Sequence, residues 1–250
     1  MQRRARREVG LVEVLDRLPE QPKKRGRIPF TRADLDNDAE LAEFDTLEAI
    51  AAGDTLITGA VFTGTLEGVA WEVQVDVLVR NPDGSYMPVM VSNHRVARPD
   101  PHKTMQGIAV TRLGLGQPLE VKATLRHHTI DGYRLTLALM GLEEAGAAPE
   151  SSIGAVVGQD RDWAYLVDVT RYVPAAHRAL LTPAPTAPRR VKECATCRFW
   201  PKCEPELKAA DDISLFLTVD RTDTYREKGI NTTTALIDAN RGEIGGRNVA

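Results

Sequence analysis

The segment GVAWEVQVDVLVRN, residues 68–81, decides how this chain is read. Trp71, Val73, Val75, Val77 and Val79 alternate with Glu72, Gln74, Asp76 and Leu78, the period of two that belongs to a strand. The Val-rich face is expected to be core. The opposite face carries a carboxylate at its centre and meets either solvent or a site. NPDGS (81–85) follows, where Pro presets φ and Gly84 can take positive φ, so a turn is expected. TLITGAVFTG before it and SYMPVMVSN after it alternate in the same way, which predicts an antiparallel three-stranded meander over 56–93.

Working outward, TRADLDNDAELAEFDTLEAIAAG (31–53) reads as one amphipathic helix with Leu41, Phe44, Leu47 and Ile50 on its apolar face and Gly53 as its stop. PLEVKATLRHH (118–128) reads as a strand, YRLTLALMGLEEAG as a helix ending at Gly146, and IGAVVGQ with WAYLVDV as a hairpin. A helical stretch near 171–181 precedes the Pro-rich linker TPAPTAPRR. The pattern predicts an α+β fold: a basic N-terminal segment over 1–30, a core over 31–181, and a C-terminal module over 182–250.

With 250 residues, 42% of them hydrophobic, the chain can bury one sizeable core with an appended module. A net charge of −3 confines any polyanion site to a local patch. No apolar run approaches the roughly 18 residues of a membrane span, and Glu13 and Asp16 interrupt the apolar part of the N-terminus, so a cytoplasmic protein without membrane association is expected. Arg3, Arg4, Lys23 and Lys24 belong to basic runs that form either a solvated face or a phosphate-contacting arm.

All three cysteines stand in KECATCRFWPKCEPE as C-x2-C-x5-C: Cys194, Cys197 and Cys203. Three clustered thiols in a chain of this length suit a soft metal better than a disulfide framework; the alternative is three buried thiols acting as small hydrophobes. The tail predicts two short helices about Lys228-Gly229-Ile230. This is either a helix-hairpin-helix unit contacting DNA phosphate or a helical cap on the domain.

DTLEAIAAGDTLITGAVFTG, GVAWEVQVDVLVRNPDGSYMPV, GYRLTLALMGLEEAG, CATCRFWPKCEPEL and DDISLFLTVDRTDTYREKGINTTTALID, in that order over residues 45–240, resemble the RecB-like and Cas4-like nucleases of the PD-(D/E)XK superfamily. The resemblance implies a restriction-endonuclease-like core with an Asp on one strand and Glu-x-Lys on the next. The two carboxylates would bind Mg²⁺ or Mn²⁺, and the lysine would position the nucleophile. Asp76 matches the Asp, but Met90 stands at the Glu and Ser92 at the Lys, while Arg134 and Ala138 replace a Gln-x3-Tyr signature on the following helix. A thioether does not bind a hard cation and a serine supplies no charge. Glu48, Glu72 and His94 are the candidate substitute ligands.

The resemblance further implies a [4Fe–4S] cluster on the three cysteines, before zinc, completed in the family by a distant N-terminal cysteine. That cysteine and a motif histidine either belong upstream of this sequence or have been lost, in which case a non-cysteine ligand or one from a partner chain would complete the cluster. The function it implies is DNA processing or repair, with DNA bound and cleavage questioned by Met90 and Ser92. The alternatives are an active metal-dependent DNA exonuclease with a rearranged site and a non-enzymatic, metal-stapled interaction module.

Overall fold

The computed structural model describes residues 2–20, 30–126, 128–183 and 186–246, with backbone alone at 2–7 and 240–246. The chain divides into two compact units, Met1–Thr182 and Pro183–Ala250.

The first unit contains α1 (Gln2–Leu15), β1 (Arg32–Asp34), α2 (Ala42–Ala52), β2 (Leu56–Leu66), β3 (Val69–Arg80), β4 (Tyr86–Val91), β5 (Ala97–Pro99), β6 (Met105–Ala109), β7 (Leu119–Val121), β8 (Ala123–Leu125), α3 (Thr129–Glu144), β9 (Ile153–Val157), β10 (Trp163–Asp168) and α4 (Val173–Leu181). Among the described residues, eight strands make one mixed sheet in the order β1-β2-β3-β4-β9-β10-β6-β7, and β5 pairs with β8 in a separate ribbon. β1 runs parallel to β2 and β4 parallel to β9; the other pairs are antiparallel. This is an α+β architecture.

The meander forms where the alternation predicts it. Its β3–β4 turn closes through the Asn81 N–H on the Ser85 carbonyl at 2.7 Å, with Gly84 at φ +92°. The expected faces of β3 are not what forms. Trp71, Val73, Val75 and Leu78 lie in the core beneath α3, whereas Val77 and Val79 lie in the opposite core with Val14 and Leu18. The alternation changes parity at Asp76. On β2 the same change falls at Gly59, whose φ is +71° and where a Cβ would sit 2.4 Å from the Leu35 carbonyl oxygen. A local reversal in the pleat rotates both strands together, so apolar residues before and after it serve different cores.

The helix expected over 31–53 is shorter. Residues 32–34 instead add a parallel edge strand, and α2 starts at Ala42. Its buried face is Ala42, Thr46 and Ala49, and Leu41, Phe44 and Leu47 are exposed. Small residues face the sheet because the backbone comes close: Thr46 Oγ1 donates to the Ala42 carbonyl and accepts the Val61 N–H at 2.9 Å. Gly53 ends the helix in the left-handed region, as expected. The strand expected over 118–128 breaks at Lys122 into β7 and β8, which belong to different sheets. β5 and β6 carry too little alternation to be foreseen.

The second unit contains α5 (Trp200–Ala209), α6 (Val219–Glu227) and α7 (Thr233–Gly246), with short 3-10 turns at Lys192–Thr196 and Ile213–Leu215.

Candidate functional site

Asp76 lies in the middle of β3 with only 5% of its surface exposed. Its Oδ2 accepts the Val91 N–H at 2.7 Å from β4 and an N–H of the Arg134 guanidinium at 3.2 Å from α3. Arg134 also donates to the Gln74 carbonyl at 2.9 Å, so the guanidinium is clamped between the strand backbone and the carboxylate. α3 can bring it there because Leu135, Ala138, Leu139 and Leu142 pack its neighbouring face into the core over β3 and β4. A buried carboxylate needs a compensating charge, and a fixed cation within the chain supplies it.

That arrangement does not suit a divalent cation at Asp76. The guanidinium would repel it at short range, and the expected second ligand, Met90, is a fully buried thioether within the core. Glu48 and Glu72 are exposed, and no group of three or more His, Cys, Asp or Glu side chains among the described residues is arranged to hold a metal ion.

Ser92, at the position expected for lysine, is buried and donates its hydroxyl to Asp131 Oδ2 at 2.7 Å; it also accepts the His94 N–H at 3.2 Å. His94 stacks on His128 with ring centroids 4.1 Å apart and planes 10° from parallel. Burial, and then the neighbouring His94, hold the His128 imidazole below its ordinary pKa. Behind Ser92, the buried Arg161 donates to the Ser92 and Gly158 carbonyls, both at 2.7 Å, and reaches Glu13 on α1 at 3.4 Å. Asp131, His128 and Arg161 were not foreseen. The spacing His128-x2-Asp131 at a helix start was a readable signal for two of them, but Arg161 at φ +56° had none.

The space beside His128 and Asp131 amounts to about 10 Å³, room for one water and no ligand. A larger cavity, about 780 Å³, opens elsewhere on this unit between Arg80–Asp83, Gly114–Pro118 and Pro149–Ser151, and none of the candidate residues lines it.

No family model matches the chain, and no curated protein matches it. A solved structure titled "Crystal structure of SSO0001" is similar at 15% identity, covering 83% of this chain and 98% of that one, with a TM-score of 0.29. A common fold does not follow from a similarity of that size. No described helix is long and apolar enough to cross a membrane.

The remaining candidates lie apart from Asp76 in the sequence order of the fold. Arg3 and Arg4 fall on the backbone of α1, and Lys23 and Lys24 lie outside the described residues. In the second unit Cys197 is exposed and Cys194 and Cys203 are half-buried. Cys194 Sγ accepts the Val191 N–H at 3.3 Å and Cys197 Sγ the Phe199 N–H at 3.4 Å, but the three sulfurs form no ligating group as they stand. At the Gly229 hairpin, the N–H groups of Lys228, Gly229 and Ile230 are spent on carbonyls of α6, and Asp211 accepts the Thr234 N–H at the start of α7. Those donors are committed within the hairpin.

Proposed function

We propose that this chain is a cleavage-deficient protein of the RecB-like PD-(D/E)XK kind that binds DNA in processing or repair. What supports the fold part is the order of α2, β2, β3, β4 and α3, with Asp76 on β3, Met90 on the adjacent β4, Ser92 just after it, and Arg134 reaching Asp76 from α3. The observation that carries the loss of cleavage is the Asp76–Arg134 ion pair, 3.2 Å long, in the place where the resemblance calls for a metal-bound carboxylate. Hydrolysis of a phosphodiester by this class needs a bound cation to raise a nucleophile and to stabilise the developing charge. With the carboxylate already neutralised by a tethered guanidinium, neither service is available at Asp76.

The test is cleavage of end-labelled single- and double-stranded DNA with Mn²⁺, using the protein, Asp76→Ala and Arg134→Gln. We expect DNA bound and uncut in all three. Cleavage by the protein that disappears in Asp76→Ala would sink the proposal. The cysteine segment enters as a soft-metal site, iron–sulfur or zinc, that metal binding itself would have to assemble, as ligand sets commonly do. Iron, sulfide and zinc analysis of anaerobically purified protein decides this, and a trace of each would end it.

A further inference from the structure

The ribbon β5–β8 grows directly out of the Asp76 neighbourhood. Its first strand follows Ser92 and His94, and its second runs into His128 and Asp131. The register pairs Ala97 with Leu125, Arg98 with Thr124 and Pro99 with Ala123, and the Arg126 N–H extends it to the Val96 carbonyl at 2.7 Å. Residues directly opposite share a face. Ala97 and Leu125 therefore form one face, and they pack on the core beneath α3. Arg98 and Thr124 form the other; the alternation brings Lys122 to it opposite Asp100 and Arg126 opposite Val96, which is buried in the core, while Arg126 itself is exposed. Arg98, Lys122 and Arg126 are exposed, and so are the flanking Arg95 and Lys103.

Over residues 95–126 these five cations and Arg112 stand against two acids, Asp100 and Glu120, in a chain whose net charge is −3. Asp100 stands opposite Lys122 on the cationic face, with its carboxylate accepting the His102 N–H at 3.0 Å. None of the five cations is in an ion pair with a described residue, whereas Arg17, Arg32, Arg134 and Arg161 of the same unit all are.

We infer that the outer face of the β5–β8 ribbon is a DNA phosphate-contacting surface. The inference rests on the proposed DNA-binding function and assigns it to residues. Lys122 and Arg126 flank the extended β8 four residues apart, about 13 Å, which is the axial length of roughly four phosphates along one strand. The contacts are to backbone charge, so binding is sequence-independent and strongly salt-dependent. A lipid surface is the poorer fit, because the ribbon's apolar face is already packed on the core and leaves nothing to insert into a bilayer.

The experiment measures binding of a fluorescein-labelled 30-base-pair duplex against KCl concentration. It compares the protein, Arg98→Gln/Lys122→Gln, and a charge-matched control, Arg80→Gln/Arg178→Gln, with Arg126→Gln measured separately and in combination with the ribbon pair. Circular dichroism and thermal melts check folding. The ribbon pair is expected to lose about 0.9 from the log–log salt slope per cation, roughly 1.8 in all and roughly 2.7 with Arg126→Gln added, and about 100-fold in affinity near 0.1 M salt, with the control unchanged. Should a combined variant not fold, each single ribbon variant still carries a loss of about 0.9. An unchanged slope in the ribbon variants, with DNA still bound by the protein, overturns this assignment and leaves the DNA-binding function standing. No binding by the protein itself overturns both. Binding to phosphatidylserine vesicles in place of DNA also overturns both.

Discussion

Arg134 is the residue on which the charge balance at Asp76 turns. The Asp76 carboxylate and the Arg134 guanidinium are 4% and 16% exposed, so neither charge has much water to fall back on. Removing one partner of such a pair leaves an uncompensated buried charge, at a cost of about 3 kcal/mol. Arg134→Leu is expected to lower stability by that order in urea denaturation, and Asp76→Asn added to it is expected to recover part of the loss. Equal stability of Arg134→Leu and the parent protein would mean that the pair is not formed.

His128 gives a second expectation at this scale. Its imidazole is held below the ordinary value by burial first and by His94 next. The unfolded chain therefore takes up a proton near the ordinary histidine pKa of about 6.5 while the folded one resists it. This stability is present above pH 6.5 and is lost as pH falls toward the folded pKa. Melting temperature should drop between pH 7.5 and 5.5, and His128→Gln should flatten that dependence.

At the scale of elements, α2 separates pattern from packing. Leu41, Phe44 and Leu47 repeat at helical spacing but face outward, and the face against β2 is made of Ala42, Thr46 and Ala49. Thr46 is fully buried and satisfies the Val61 N–H. Thr46→Val keeps the shape and strands that donor, which costs about 1–3 kcal/mol. Phe44→Ser and Leu47→Ser touch only the outer face and should stay within about 0.5 kcal/mol of the parent. Chemical denaturation of the three variants checks the order, and a larger loss for Phe44→Ser than for Thr46→Val would invert the assigned faces.

For the whole molecule, the division between Thr182 and Pro183 leaves both hydrophobic cores in the first unit. A fragment ending at Thr182 is expected to unfold in one cooperative transition with a midpoint within a few degrees of the first transition of the full chain. A fragment that is molten or insoluble would show that the first unit depends on the second.

Much of the fold was legible because alternation and turn chemistry are local. The meander over 56–93, the β9–β10 hairpin and the Gly53 stop all follow from residues adjacent in sequence. The parity change at Gly59 and Asp76 did not follow, because a strand's faces are assigned by the layers that cover it and an unbroken run of valines reads the same on either core. The outward turn of Leu41, Phe44 and Leu47 was likewise hidden, since periodicity marks an apolar stripe and the closeness of β2 selects small residues instead. Sequence alone determined that a carboxylate, Asp76, stands in the middle of an apolar strand. Only the tertiary structure brought Arg134 from 58 residues away into contact with it, because the site's charge balance is settled by which helix lies over which strand.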